Sequence, residues 1–159
     1  MIICLLPTIL VTFISSNIHA EEFEYLKPGE VEGIPQKHIA TLISEGCSIP
    51  KWHYKFGGIA EGEFAKNGQT DLAVICKNDT GGFIRIFWGG EASCPNKIES
   101  WGQFIDTVGK EYIVSHYEGY GGTKPPEISH QAINDYYVEK SSIVNYCHNG
   151  KWLKLTGAD

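Results

Sequence analysis

Apolar positions come in short runs with two different periods. Ile39, Leu42 and Ile43 recur at the spacing of one helix face, between Pro35 and Gly46. Proline suits a first helical turn and glycine the left-handed residue that ends a helix, so the pattern predicts a helix over 35–45. Leu72–Ile75 is continuously apolar and ends at Cys76, as expected of a strand covered on both faces. The polar run Lys77–Gly82 then reads as a hairpin connection. In the following strand Ile84, Ile86 and Trp88 share one face, and Phe83, Arg85 and Phe87 share the other.

Near the C-terminus, Ser142–His148 and Lys151–Leu155 flank Asn149-Gly150, a strong short hairpin signal. A two-residue turn pairs His148 with Lys151, Cys147 with Trp152, Tyr146 with Leu153 and Val144 with Leu155. One face then carries Val144, Tyr146, Leu153 and Leu155 and looks like core. The other carries Asn145, Cys147, Trp152 and Lys154 and looks less apolar.

Elsewhere the pattern is weaker. Residues 21–33 are acidic and aperiodic and suggest an extended arm. Residues 99–106 and 128–140 are mixed, and 91–98 reads as a loop. Tyr112–Tyr117 is β-branched and aromatic and predicts a strand. Helical spacing of Ile105, Val108, Tyr112, Ile113 and His116 keeps a helix open there. Gly119–Pro126 holds too much glycine and proline for either element and reads as an exposed loop. The expected fold class is α+β: one short N-terminal helix, a mainly antiparallel sheet and a single domain over 34–159.

The first 20 residues contain no Asp, Glu, Lys or Arg, and Ile2–Ile14 is almost wholly apolar. That run falls short of the ~20 residues that span a bilayer. Small and polar residues up to Ala20, then Glu21-Glu22, complete the pattern of a cleaved signal peptide. The expectation is a secreted or periplasmic domain beginning near Glu21, with no membrane anchor after cleavage. Cys47, Cys76, Cys94 and Cys147 remain, an even count that favours two disulfides in an exported chain. Three pairings are possible. Cys47 with Cys76 and Cys94 with Cys147 suits the strand positions best. No two of these cysteines have the close spacing of a structural zinc site. The net charge of -6 and the lack of a basic run argue against nucleic acid as a partner.

The loop Glu63–Asp71, followed by its apolar strand, resembles the FG-GAP (VCBS-like) repeat of integrin-like propellers and related bacterial secreted proteins. The resemblance covers Ile59–Trp88, one copy only. In that family the loop often holds calcium through alternate oxygen side chains. The resemblance places those positions at Glu63, Ala65, Asn67 and Asp71. Ala65 offers no oxygen and Lys66 adds a positive charge, which implies that the metal has been lost and that Asn67 and Asp71 hold the turn by hydrogen bonds. The closing segment Gly150–Asp159 is similar to that of a family of bacterial exported proteins, which implies no activity.

Candidate chemistry is sparse. His116, His130, Asp135 and Glu139 could serve as acid, base or ligands, but no pair has a diagnostic spacing. There is no Gly-x-Ser-x-Gly turn, phosphate loop or dinucleotide fingerprint, so no cofactor is implied. Exposed Trp and Tyr suit binding surfaces. Trp52, Tyr54, Tyr117, Tyr120 and Trp152 are the candidate contact residues, centred on the loop 117–126. The favoured function is non-catalytic binding of a protein or glycan. A secreted hydrolase using the His and Asp residues is the alternative, and an inhibitor or immunity protein of a secreted enzyme is a third.

Overall fold

The computed structural model describes residues 24–51, 57–118, 125–137 and 140–157. The described residues form ten strands and two α-helices: β1 (Glu24–Leu26), α1 (Gln36–Ser44), β2 (Ile49–Lys51), β3 (Ile59–Gly62), β4 (Asp71–Asn78), β5 (Gly81–Phe87), β6 (Lys97–Glu99), β7 (Phe104–Val108), α2 (Lys110–Glu118), β8 (Ala132–Tyr137), β9 (Ser141–His148) and β10 (Lys151–Gly157). All strand pairs are antiparallel. They build two four-stranded sheets, ordered β3-β4-β5-β6 and β10-β9-β8-β7, and a small β1-β2 ribbon. The architecture is α+β and mostly β.

Three apolar clusters stack the layers. In the middle, Ala73, Ile75, Ile84 and Ile86 of the first sheet meet Ile105 and Ile133 of the second, with Phe64 among them. The opposite face of the first sheet packs Leu72, Val74, Cys76 and Phe83 against Leu42 of α1 and against Ile34, Cys47 and Ile49. The opposite face of the second packs Val108, Ala132, Val144, Tyr146 and Leu155 against Ile113 of α2. The order is therefore helix, sheet, sheet, helix. Facing edges of the sheets meet where the Thr107 hydroxyl donates to the Glu61 carbonyl (2.7 Å). Alternate residues of β4 serve two cores, which explains why Leu72–Ile75 is apolar without a break.

Helix α1 ends as its glycine suggests. Gly46 has φ +68°, and Cys47 N–H closes on the Leu42 carbonyl at 3.0 Å. Ile39 and Leu42 face the sheet, but Ile43, grouped with them by spacing, is 61 % exposed because it lies a further 100° or so around the helix. The C-terminal hairpin has the register derived from Asn149-Gly150, with both turn residues at positive φ. Disulfides join Cys47 to Cys76 and Cys94 to Cys147, with Cα–Cα distances of 4.9 and 6.0 Å. These are the pairs that strand position favours.

In the segment expected as an extended arm, Glu24–Leu26 pairs with β2 and Pro28–Glu30 forms a 3₁₀ turn. Two local expectations need correction. Tyr112–Tyr117 is helical, not extended: Ile113, Val114 and Tyr117 share a face packed on the third cluster, and burial of that face overrides β-propensity. The less apolar face of the β9-β10 hairpin does not look outward. Asn145 and Cys147 are buried there, and Trp152 packs on the central cluster because the first sheet lies over it.

Candidate functional site

The β3–β4 loop is built around one carboxylate. Asp71 is 1 % exposed at the start of β4. Its Oδ2 accepts the N–H groups of Phe64 and Ala65, each at 3.0 Å. Its Oδ1 accepts Gln69 Nε2 at 2.7 Å and Gly89 N–H at 2.9 Å. Gln69, itself buried, donates again to the Glu91 carbonyl (3.0 Å). Four donors on one carboxylate satisfy most of its lone pairs and hold the loop shut. Of the positions that the resemblance would assign to calcium, Asp71 points inward and Asn67 is exposed. Glu63 is tied by its backbone: its N–H donates to Gln131 Oε1 at 2.8 Å and its carbonyl accepts Gln131 N–H at 3.1 Å. Gln69, rather than Asn67, joins Asp71 in holding the turn. Among the described residues no group of three His, Cys, Asp or Glu side chains could hold a metal ion.

This fixed loop forms one wall of a cavity of about 540 Å³. Ala65, Lys66 and Asn67 lie on that wall. Glu127, Ser129 and His130 form a second wall, and Tyr146, His148 and the Asn149-Gly150 turn form a third. Tyr146 organises it. The ring is buried in the third cluster, while the hydroxyl accepts Ser129 N–H (3.1 Å) and donates to the Glu127 carbonyl (3.4 Å). A single phenol therefore pins the second wall to the third. His130 stacks on the same ring at 4.4 Å, and His148 lies 6.3 Å from it. The Cys94–Cys147 bond ties the β5–β6 loop to β9 behind the cavity, where Ser93 joins the lining.

Both imidazoles have local hydrogen bonds. His130 Nδ1 lies 2.9 Å from the Gln131 carbonyl, which can only accept, so that nitrogen carries a proton. Asn149 Nδ2 donates to His148 Nε2 at 2.9 Å. The lining mixes polar and apolar surface about evenly, with Lys66 and Glu127 as its opposite charges. The Lys66 ammonium also lies 3.7 Å from the exposed Glu91 carboxylate.

The chain matches no family model, no curated protein and no solved structure.

The candidate acid–base residues are not gathered in one place. His130 lines the cavity. His116 sits on α2, stacked on Tyr112 at 5.2 Å, with its pKa lowered by burial. Asp135 lies between the sheets, 5 % exposed, and burial raises its pKa despite the Ser100 hydroxyl and the Lys77 ammonium nearby. Burial also lowers the pKa of Lys77. Glu139 lies outside the described residues. Among the candidate aromatic contacts, Trp52, Tyr54 and Tyr120 lie outside them as well. Tyr117 is half-buried against the third cluster. Trp152 stacks on Trp88 at 6.0 Å and donates from Nε1 to the Pro95 carbonyl at 2.8 Å. Sequence pattern marks Tyr146 only as core and gives no role to His148 or Ser129. The hairpin register already places His148 two residues beyond Tyr146 on the same face, which is the signal that could have found it. Nothing in the local sequence marks Ser129.

Proposed function

We propose that this chain is an exported, non-catalytic binding protein whose ligand, a protein loop or a glycan, seats in the cavity between the β3–β4 loop and the β9–β10 turn. The observation that carries the reading is the cavity itself: a concave surface of nearly even polar and apolar character, with His130 present but Asp135 and His116 elsewhere. Ser129 and Glu127 share the cavity with His130, so the His130→Ala turnover test below separates this reading from a hydrolase. Two disulfides and the apolar leader-like run support a life in an oxidising compartment. No helix among the described residues is long and apolar enough to cross a membrane. Residues 59–88 are read as a single FG-GAP-like unit in which Gln69 and backbone N–H groups occupy the oxygens that a cation would use; the hydrogen bonds around Asp71 support this.

The test is binding of the oxidised protein to immobilised glycan and peptide arrays, with His148→Ala and Tyr120→Ala beside the parent. His148→Ala should weaken capture at least tenfold at unchanged Tm. Loss confined to Tyr120→Ala would move the contact surface to the loop 117–126. Substrate turnover that vanishes in His130→Ala would overturn the non-catalytic reading.

A further inference from the structure

We propose that the shallow groove beside Trp101 is a saccharide subsite, separate from the cavity above. Trp101 is 63 % exposed, the most exposed of the large hydrophobic side chains described. Its backbone is nevertheless held firmly. Ser100 N–H donates to the Gly82 carbonyl (3.0 Å), Gly102 N–H donates to Ser100 Oγ (3.1 Å), and Gln103 N–H donates to the Tyr136 carbonyl (2.8 Å). An indole presented to water on a fixed turn offers a large contact face at little further ordering cost.

The groove has a volume of about 220 Å³ and runs between Trp101 and the β4–β5 turn. Its lining decides the class of ligand. Around the indole stand Asn78, Thr80, Gly81, Gly82, Lys97 and Glu99; Phe83, the other aromatic of the lining, is buried beneath Lys97, so the ring surface presented to water is that of Trp101. A protein interface core would extend the apolar surface further. Phosphate-rich polymers are opposed by the net charge of -6. A pyranose ring presents a C–H face to an aromatic plane and a rim of hydroxyls to hydrogen-bonding groups. The exposed Glu99 carboxylate can accept two such hydroxyls. The Thr80 hydroxyl, whose own proton goes to Asn78 Oδ1 at 2.8 Å, has lone pairs left to accept another. Lys97 is held over the Phe83 ring at 3.9 Å, so the groove wall under it is ordered. Glycine at 82 keeps the turn flat, since a Cβ there would strike the Ser100 carbonyl and the Lys77 side chain.

The volume is below the roughly 300–1,000 Å³ of drug-sized sites and fits about one ring. Affinity for one subsite should be weak, with Kd on the order of 1 mM. The experiment follows the Trp101 indole N–H by NMR in ¹⁵N-labelled oxidised protein, titrated separately with chitotetraose, cellotetraose and maltotetraose. The expected result is a saturable shift of that resonance with at least one sugar, weakened at least fivefold in Glu99→Gln and unchanged in His148→Ala. Trp101→Ala identifies the resonance and should abolish binding of the same sugar, read by calorimetry, while preserving the fold by circular dichroism. No saturable shift with any of the three sugars overturns the proposal. A shift that survives Glu99→Gln undiminished, or binding retained by Trp101→Ala, overturns it too. Because His148 is outside the groove, failure here leaves the cavity reading standing, and failure there leaves this one.

Discussion

Adding a single methyl group at Gly102 should be among the most damaging small changes in this protein. Gly102 has no left-handed backbone requirement, so alanine is conformationally acceptable there. The obstacle is contact: a Cβ at 102 would occupy the position of Asp135 Oδ1 and approach the Tyr136 carbonyl oxygen to 2.9 Å. Asp135 is 5 % exposed between two packed sheets and has nowhere to retreat. Overpacking of this kind costs about 1–3 kcal/mol, and a displaced buried carboxylate puts Gly102→Ala near the upper value. That corresponds to a Tm fall of about 6–12 °C for a chain of this size. Asp135→Ala alone should cost less, about 1 kcal/mol. It loses the Ser100 contact but also removes an oxygen, Oδ1, that has no hydrogen-bond partner among the described residues. In the double variant the new methyl enters the vacated space, so the two costs should fall short of their sum by about 1 kcal/mol or more. Urea unfolding of the four proteins, with m-values compared, measures this directly. Strict additivity would refute the argument.

The same cycle has a pH arm. Burial raises the Asp135 pKa above its ordinary 3.8, so between 3.8 and the raised value the folded protein keeps a proton that the unfolded chain releases. Stability from this group is present at low pH and is lost as pH rises through that window. The destabilisation caused by Asp135→Ala should therefore shrink between pH 3.5 and 7. A difference that stays flat or grows would refute the assigned environment.

Three further outcomes follow from the site. Asp71→Ala removes the acceptor for four donors and should cost about 3 kcal/mol in urea midpoint measurements, with the β3–β4 loop amides losing protection from hydrogen exchange. Tyr146→Phe should cost about 1 kcal/mol and raise exchange at Ser129 N–H, while the ring packing persists. Replacing both Cys94 and Cys147 by alanine opens a 53-residue loop and should cost about 4 kcal/mol, against about 3.6 kcal/mol for the 29-residue loop of Cys47–Cys76, measured by thermal or urea unfolding.

The parts of the fold legible from the chain are those where local chemistry and burial agree. Asn149-Gly150 dictates both the turn and the register, because few residue pairs accept two positive φ values. Leu72–Ile75 announces a doubly covered strand by the lack of any polar break. Residues 110–118 mislead because tyrosine, isoleucine and valine favour strands intrinsically, and only the third cluster reveals which period is buried. The Trp152 face misleads for the opposite reason: its asparagine, cysteine and lysine look wet, yet the first sheet covers most of it. The cavity is harder still. Its three walls come from residues 65–67, 127–130 and 146–150, and a single phenol joins two of them. No window of the sequence contains that meeting.

The Cys94–Cys147 bond has a consequence for when the molecule becomes competent. It fastens the strand carrying Tyr146 and His148 to a segment 53 residues earlier in the chain. A copy in reducing surroundings would lack that fastening, leaving the cavity walls held by non-covalent contacts alone. If the cavity is the binding site proposed above, a thiol reductant should weaken capture before it unfolds the protein.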